Sequence, residues 1–283
     1  MKKVIITADD YGMCESVNRA IEACSEAGVV LSTNVMANME CAADAAQFRK
    51  RFPNVSVGLH YNFTVGHPLS PASMVPSLVN EKDEFLSYKE IRERCKSKTY
   101  NWDEIKLEME AQYKRYVSIC GEPDYWNTHE NVHVHPWLYA LFCNVSDDFG
   151  IKKMRTHRRI YIPASGKTGM PLKWRLVEPI KQRMLTNWRN SCLKKEIASH
   201  DGLLVRMNEE DKLNLAYSFA HICWGKDIVA EMAIHPATDS DCVYFGEITD
   251  ARIKEYQVFS NPRVLKLAEE NGIKIVGFEE VQV

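Results

Sequence analysis

The chain has 283 residues, of which 45% are hydrophobic and 26% are charged, and it carries a net charge of −2. This balance is typical of globular proteins and excludes an intrinsically disordered chain and a small disulfide-stapled scaffold. No apolar run approaches the roughly 18 residues that a transmembrane helix needs, and the N-terminal sequence turns acidic too early for a signal peptide.

Short apolar runs alternate with helical patterns along most of the chain. The first strand-like run, 4–8, is followed by a predicted helix over 14–27, whose apolar residues recur at helical spacing and which ends at Gly28. Further strands are predicted at 31–36, 55–59, 125–128, 151–154, 228–234 and 273–278, and further helices at 42–52, 101–120, 138–149, 213–223 and 261–272. Repeated β-then-α order indicates parallel strands with outer helices, because parallel neighbours need a crossover connection.

This order predicts an irregular TIM-like (β/α) barrel, although an open doubly wound sheet satisfies the same pattern. No Gly/Ser/Pro-rich linker divides the chain, so we expect a single domain over 1–283. Neither a Gly-x-Gly-x-x-Gly motif nor a P-loop follows any predicted strand, which excludes the common nucleotide-binding folds.

Charge is distributed unevenly along the chain. Segment 152–195, called the basic segment below, holds thirteen Lys and Arg residues and a single acid, Glu178, a balance of +12 that leaves −14 for the remainder. We predict that this segment is an insertion or cap on the barrel. Its charge indicates an anionic partner, such as a phosphate-bearing or lipid-linked substrate, or charges that are neutralised elsewhere in the fold. Nucleic acid is disfavoured, because no nucleic-acid-binding motif accompanies the basic residues.

The nine cysteines are scattered along the chain, and no two form a CxxC pair. We therefore expect buried, reduced thiols in a cytoplasmic protein, and neither disulfides nor a zinc–thiolate site. A homodimer is compatible with the sequence, which does not determine the oligomeric state.

Chemically active side chains follow four of the predicted strands. The first strand runs into Asp9 and Asp10, and three later strands run into His60, His129 and His235. Because the carboxyl ends of parallel strands converge on one face, residues distant in sequence can meet there. Two histidines and a carboxylate suit a divalent ion such as Zn²⁺ with positions open to water and substrate. A second carboxylate and another histidine can then serve as general base and general acid.

The same residues lie in motifs that resemble those of the YdjC-like carbohydrate deacetylases, which include the chitooligosaccharide deacetylases. The motifs are Thr-Ala-Asp-Asp-Tyr-Gly at 7–12, Gly-Leu-His-Tyr-Asn-Phe-Thr at 58–64, the stretch 123–133, and Glu-Met-Ala-Ile-His-Pro at 231–236. Two departures occur. The family's triple histidine is His129-Glu130-Asn131 here, and Ala237 stands where the family has Gly, so the resemblance does not determine the sugar.

The resemblance implies an irregular TIM-like barrel and metal-dependent removal of acetyl groups from N-acetylated sugars. Carried over by motif, Asp10, His60 and His129 become the ligands of one divalent ion, with zinc favoured and magnesium or another divalent ion as alternatives. Asp9 becomes the general base and His235 the general acid.

Two further residues are candidates for contact with the substrate. Arg155 ends the predicted strand 151–154 and either steadies Asp9 or binds the substrate, and His133 follows His129 closely enough to touch the sugar. Two other functions stay open. One is a 2-His-1-carboxylate Fe(II) oxygenase, and the other is a sugar-binding protein that retains the metal without turnover.

Overall fold

A computed structural model describes residues 2–135, 137–163, 172–191, 193, 197–206, 213–221, 228–245 and 248–282. Parts of two predicted features lie outside these residues. In the basic segment these are residues 164–171, 192 and 194–196. In the predicted helix 213–223 they are the last two residues, 222–223.

In the part of the chain that the structure describes, ten strands form one sheet in which every pair of neighbouring strands is parallel. Their bounds are β1 Lys2–Tyr11, β2 Ser32–Val35, β3 Ser56–Tyr61, β4 Trp126–Thr128, β5 Lys153–Met154, β6 Arg159–Ile162, β7 Ala198–Ser199, β8 Gly202–Arg206, β9 Val229–Ile234 and β10 Ile273–Val276.

Nine α-helices are found within the described residues, and they connect or flank the strands. Their bounds are α1 Glu15–Glu26, α2 Ala45–Arg51, α3 Tyr88–Ser97, α4 Trp102–Cys120, α5 Tyr139–Asp148, α6 Leu172–Ser191, α7 Leu215–Ala220, α8 Thr249–Phe259 and α9 Arg263–Glu270.

The strand pairing closes into a ring. Strands β1, β2, β3, β4 and β5 pair in sequence, β5 pairs with β7, β6 pairs with β8, and β8 leads through β9 back to β1. Strands β5 and β6 follow each other along one stretch of the chain, and β7 and β8 follow each other along another. Because these two stretches pair with each other, they close the barrel between β4 and β9. Strand β10 pairs with the first half of β1, and β2 pairs with its second half. The prediction of an irregular TIM-like barrel is confirmed.

The predicted elements correspond closely to the observed ones near the barrel. All six strands predicted after the first are present, and Asn101 caps α4 by accepting a hydrogen bond from the backbone N–H of Asp103, 3.0 Å away. Three helices were not predicted. Helix α3 is rich in charged residues, α8 has little hydrophobic periodicity, and α6 contains Pro179, which ordinarily interrupts a helix.

The described part of the basic segment forms β5, β6 and α6. The inner side of α6 is held by polar contacts, among them a hydrogen bond of 2.9 Å from the Arg159 N–H to Gln182 Oε1 and one of 3.0 Å between His157 Nε2 and Thr186 Oγ1. Large apolar side chains on its other side are exposed, namely Leu176, Val177, Ile180, Met184 and Trp188. Its role as a cap over the barrel stays a prediction.

Cysteines of the described residues are free thiols, as expected. Their expected burial is only partly correct. Cys24, Cys95 and Cys143 are buried on helices, whereas four lie half-exposed in caps, loops and a helix end, namely Cys14, Cys41, Cys120 and Cys242. Among the described residues, no helix is both long and apolar enough to cross a membrane.

Candidate metal centre and active site

The candidate site is built on an irregular end of strand β1. The register of β1 against β2 shifts between Ala8 and Tyr11, and Asp10 in this bulge has a φ of +74°, a left-handed conformation that few residues other than Gly adopt. In a regular strand, adjacent side chains point to opposite faces. Because of the bulge, the side chains of Asp9 and Asp10 both lie at the same site.

Asn34 on β2 stabilises this bulge with its side-chain amide. Its Nδ2 donates a hydrogen bond of 2.6 Å to Asp9 Oδ1, and its Oδ1 accepts one of 3.3 Å from the backbone N–H of Asp10. Asn34 is fully buried, so both bonds form away from water. A single amide therefore binds both the carboxylate of Asp9 and the backbone of Asp10.

Asp10, His60 and His129, called the ligand cluster below, converge at the carboxyl ends of β1, β3 and β4. Asp10 Oδ1 lies 2.9 Å from His129 Nδ1 and 3.2 Å from His60 Nε2, and one ligand atom from each residue falls within 4.8 Å of the others. The imidazole rings meet edge to face at 5.6 Å. His60 Nε2 is buried, and no atom of the described residues lies in hydrogen-bonding geometry to it. An unpartnered ring nitrogen facing a carboxylate and a second imidazole fits the donor set of a divalent ion.

Arg252 on α8 supplies a positive charge to the ligand cluster. Its Nη2 donates a hydrogen bond of 2.6 Å to Asp10 Oδ2, and its guanidinium lies 4.8 Å above the ring of Phe245. Although burial raises the pKa of Asp10, His129 and Arg252 lower it more, and the net pKa lies well below the ordinary value. Asp10 is therefore a carboxylate, the form that binds a metal ion.

A second buried arginine binds the carboxylate of Asp9. Arg155, which follows β5, donates from both terminal nitrogens to the two carboxylate oxygens of Asp9 at 2.7 Å. Its Nε and Nη2 also donate to Glu231 on β9 at 2.9 and 2.7 Å, and His200 Nε2 lies 2.7 Å from the same carboxylate. Burial raises the pKa of Asp9, but Arg155 outweighs it, and the net pKa is lowered. Asp9 thus stays ionised.

His235 follows β9 and faces the same carboxylate from the solvent side. Its Nε2 lies 3.6 Å from Asp9 Oδ2, its side chain is 32% exposed, and its backbone N–H donates to Glu255 Oε2 at 2.5 Å. Burial lowers the pKa of His235 more than Asp10 and Asp9 raise it. The resting imidazole is therefore neutral and open to a ligand at its edge.

The two predicted substrate contacts are placed differently from each other. Arg155 is 1% exposed and is fully engaged by Asp9 and Glu231, which agrees with the steadying role. His133 is completely buried, with Nδ1 2.8 Å from Thr128 Oγ1 and its ring edge against Trp126. Its position offers no exposed surface to a substrate, so contact between His133 and the sugar stays an unsupported prediction.

Several residues of this site were not identified from the sequence. Glu231 stands in a quoted motif, but its role depends on Arg155, which is distant in sequence. Asn34 ends an ordinary strand pattern, and Arg252 lies on a helix without clear periodicity. The roles of these three residues are recognised from their contacts with Asp9, Arg155 and Asp10 in the folded protein.

Nearly the whole chain is similar to known proteins. A family model described as YdjC-like protein matches residues 3–270. A chitooligosaccharide deacetylase of Yersinia enterocolitica is 35% identical over 286 residues, which cover 99% of each chain. A carbohydrate deacetylase of Danio rerio is 25% identical over 316 residues, with 98% of both chains covered.

Other similarities cover less of the sequence or rest on the fold. A chitooligosaccharide deacetylase of Proteus mirabilis is 34% identical over 139 residues, so this chain spans about half (53%) of that relative. A crystal structure of an Enterococcus faecalis V583 protein, assigned to cellobiose-phosphate cleavage, has a TM-score of 0.77 at 22% identity and covers 98% of both chains. That likeness supports the barrel fold alone.

Replacing Glu231 by Gln tests the buried charge network. Removal of one partner from a buried ion pair costs about 3–5 kcal/mol, so urea unfolding at pH 7 is expected to show a loss of this size. Burial raises the pKa of Glu231, but Arg155 and His200 lower it further, below its ordinary range. The stability from ionised Glu231 is present above the unfolded pKa of about 4.3 and is lost as pH falls below it.

The difference in unfolding free energy between wild type and Glu231→Gln should therefore be constant from neutral pH to about pH 5, because Glu231 is ionised in both states of wild type. Below about pH 4.3 it should narrow by up to about 1.4 kcal/mol per pH unit. Gln at the exposed Glu81 is the control. A difference that stays constant below pH 4 would show that Glu231 is not ionised in the folded protein.

Proposed function

Because the chain belongs to the YdjC-like protein family, we propose that it is a metal-dependent hydrolase that removes the acetyl group from an N-acetylated sugar. The substrate class is a chitooligosaccharide or another sugar containing N-acetylglucosamine. One observation carries the proposal. The ligand cluster lies beside a second ionised carboxylate, Asp9, and a partly exposed imidazole, His235. This arrangement holds the groups that amide hydrolysis requires.

In this proposal the ligand cluster holds one divalent ion, with zinc favoured and magnesium or another divalent ion as alternatives. When bound, such an ion polarises the acetyl carbonyl and makes water at the site more acidic. Arg252 holds Asp10 in its charged form, and Asn127 on β4 lies with its side-chain amide 2.6 Å from His60 Nδ1 and orients that ring.

Asp9 acts as the general base. It accepts a proton from the attacking water at Oδ2, the oxygen nearer His235, while Asn34 binds Oδ1 and Arg155 binds both oxygens. The lowered pKa keeps Asp9 unprotonated, the form that a general base must have, and the two hydrogen bonds from Arg155 keep the carboxylate from rotating.

His235 acts as the general acid and donates a proton from Nε2 to the departing amine nitrogen. Its resting form is neutral, so the donated proton has to arrive during the reaction, and Asp9 Oδ2 lies 3.6 Å from Nε2 on that route. In the overall reaction, water adds to the acetyl carbon, the C–N bond breaks, and acetate and the free amino sugar leave.

The alternatives are separated by one assay. A sugar-binding protein without turnover releases no acetate, and an Fe(II) oxygenase requires O₂ for turnover. We therefore propose acetate release from N-acetylglucosamine oligomers under anaerobic conditions as the deciding measurement. Ionised Asp9 and the exposed edge of His235 favour the hydrolase.

The metal assignment predicts that His60→Ala and His129→Ala proteins lose both bound metal and acetate release, because each substitution removes one of the three residues of the ligand cluster. Metal content of the purified protein, measured by mass spectrometry, is the primary readout. The control is His67→Ala, which removes an exposed histidine whose described contact is the carbonyl oxygen of Asp83. Full occupancy in either ligand variant would exclude that residue from the metal site.

If Asp9 and His235 act as general base and general acid, their replacement should lower kcat without releasing the metal. Asp9→Asn and His235→Ala proteins should keep the metal and the folded barrel, while kcat falls by about 10²–10⁴-fold, the usual cost of losing a general base or acid. Acetate release and metal content are measured on the same samples. If His235→Ala stays within about threefold of wild type, His235 is not the general acid.

We further propose that the basic segment recognises a negative group on the substrate, such as a phosphate. Arg158 and Arg159 directly follow the residues that position Asp9, and both are exposed. Their described hydrogen bonds to Thr156 and Gln182 use backbone N–H groups, which leaves the guanidinium groups to a ligand. Guanidinium groups match phosphate geometry, and several cations add a salt-sensitive attraction.

Replacing Arg158 and Arg159 together by Gln tests this preference, because the backbone hydrogen bonds survive the substitution. A phosphorylated acetamido sugar should have a higher kcat/KM than its neutral counterpart in wild type, and the advantage should shrink as salt rises. The double variant should lose the advantage and process the neutral sugar normally. Lys266→Gln on α9 is the control for loss of a remote surface charge. Equal kcat/KM for both sugars in wild type would contradict the proposal.

A further inference from the structure

Helix α6 is amphipathic, but the side that it turns toward the barrel is its polar side. The Arg159 N–H donates a hydrogen bond of 2.9 Å to Gln182 Oε1 on this side. Arg189 is 7% exposed, its Nη2 donates to the Val134 carbonyl oxygen at 2.5 Å, and its guanidinium lies 5.1 Å from the centre of the Tyr139 ring. A helix that packs on a hydrophobic core ordinarily turns its apolar stripe inward. The contacts that hold α6 therefore leave its apolar side facing outward.

The outward side of α6 carries five large apolar residues at helical spacing. Four of them recur at every fourth position and the fifth adjoins the first, so all five fall within an arc of about 120° around the helix axis. Each of the five is between 44% and 67% exposed. They are called the outer stripe below and consist of Leu176, Val177, Ile180, Met184 and Trp188. A continuous exposed row of this kind indicates a surface that contacts another molecule.

Positive charge accompanies the outer stripe. Helix α6 contains five Lys and Arg residues and one acid, a balance of +4. Lys181 and Arg183 are exposed, and at helical spacing they border the outer stripe along its two edges. The acid, Glu178, lies inward of them: its side chain is 15% exposed, accepts a hydrogen bond of 3.4 Å from the Tyr161 hydroxyl and lies 3.7 Å from Lys181 Nζ. The outward surface of α6 thus combines apolar side chains with cations.

We propose that α6 binds the surface of an anionic lipid bilayer through the outer stripe. The apolar side chains enter the boundary between the headgroups and the acyl chains, and Lys181 and Arg183 bind headgroup phosphates. Trp188 suits this boundary, because its ring is apolar and its indole N–H is polar. An aromatic residue among aliphatic ones, bordered by basic residues, is typical of helices that lie in the plane of a membrane surface.

The charge of α6 favours a bilayer over a second copy of this chain. Two α6 helices packed through their outer stripes would bring a balance of +4 against another of +4, and their border cations would repel each other. An anionic bilayer instead presents the opposite charge to both edges of the stripe. The same cations that oppose pairing of two helices therefore strengthen binding to the bilayer.

Flotation of the full-length, metal-bound protein with lipid vesicles is the first test. Wild type should bind vesicles of phosphatidylglycerol and phosphatidylcholine at least about tenfold more tightly than vesicles of phosphatidylcholine alone, because each cation near an anionic surface strengthens binding by about fivefold. Binding to the anionic vesicles should weaken as salt rises. Wild type that does not float with anionic vesicles, or that binds both kinds equally, would overturn the proposal.

Replacing Ile180 and Met184 together by Gln tests the apolar contact. Both residues are more than 60% exposed, so the variant should fold as wild type does, which circular dichroism checks. Vesicle binding should fall at least about tenfold, because full burial of one such side chain strengthens binding by about tenfold or more. Met74→Gln, which changes an exposed methionine outside α6, is the matched control and should bind normally. Unchanged binding in the double variant would contradict the proposal.

Replacing Lys181 and Arg183 together by Gln tests the charged border. Binding to anionic vesicles should fall about tenfold or more, and the weak binding to phosphatidylcholine alone should not change. The control has the same loss of two charges on α4, where Lys106→Gln and Lys114→Gln replace exposed lysines. If the control loses as much binding as the α6 variant, net charge rather than α6 attracts the vesicles, and the proposal fails.

Light scattering in the absence of lipid examines the second copy directly. Wild type should not dimerise through α6, so its mass in solution should equal that of the Ile180→Gln, Met184→Gln variant. A wild-type dimer that this variant dissociates would make the outer stripe a subunit interface and overturn the proposal. None of these measurements uses acetate release, so their outcome is independent of the proposed function.

Discussion

Two adjacent carboxylates are buried at the end of β1, and the site depends on keeping both of them charged. Burial alone would push their pKa values up, and two like charges side by side would add to the effect. The fold gives each carboxylate its own arginine. Arg155 binds Asp9 and Arg252 binds Asp10, and the two arginines come from separate parts of the chain. Each can therefore take a different chemical role, one with the ligand cluster and the other facing His235.

The barrel brings these charges together with little help from local sequence. Glu231 on β9 pairs with Arg155, and because β9 is the direct neighbour of β1, the second carboxylate of the network lies next to Asp9. One arginine thus lies between two acids, and both carboxylates are paired with its guanidinium within the interior. His200 extends the same network to the chain stretch that completes the ring.

Most of the strands and the positions of the acidic and imidazole groups at their ends could be predicted, because apolar runs bounded by polar residues are a local signal. The residues that set the charge and orientation of these groups could not be predicted. Arg252 and Glu255 lie on α8, whose surface has no clear apolar stripe, and Asn34 shows its role only when β2 pairs with a bulged β1.

The left-handed backbone of Asp10 limits how this site can change during evolution. Among residues with a side chain, Asp and Asn tolerate a φ near +74° best, because their short polar groups bond locally, while longer or branched residues are strained there. Exchange of this ligand for glutamate would therefore require the bulge to be rebuilt as well. The metal preference of such a barrel is thus easier to alter through His60, which sits on regular strand, than through Asp10.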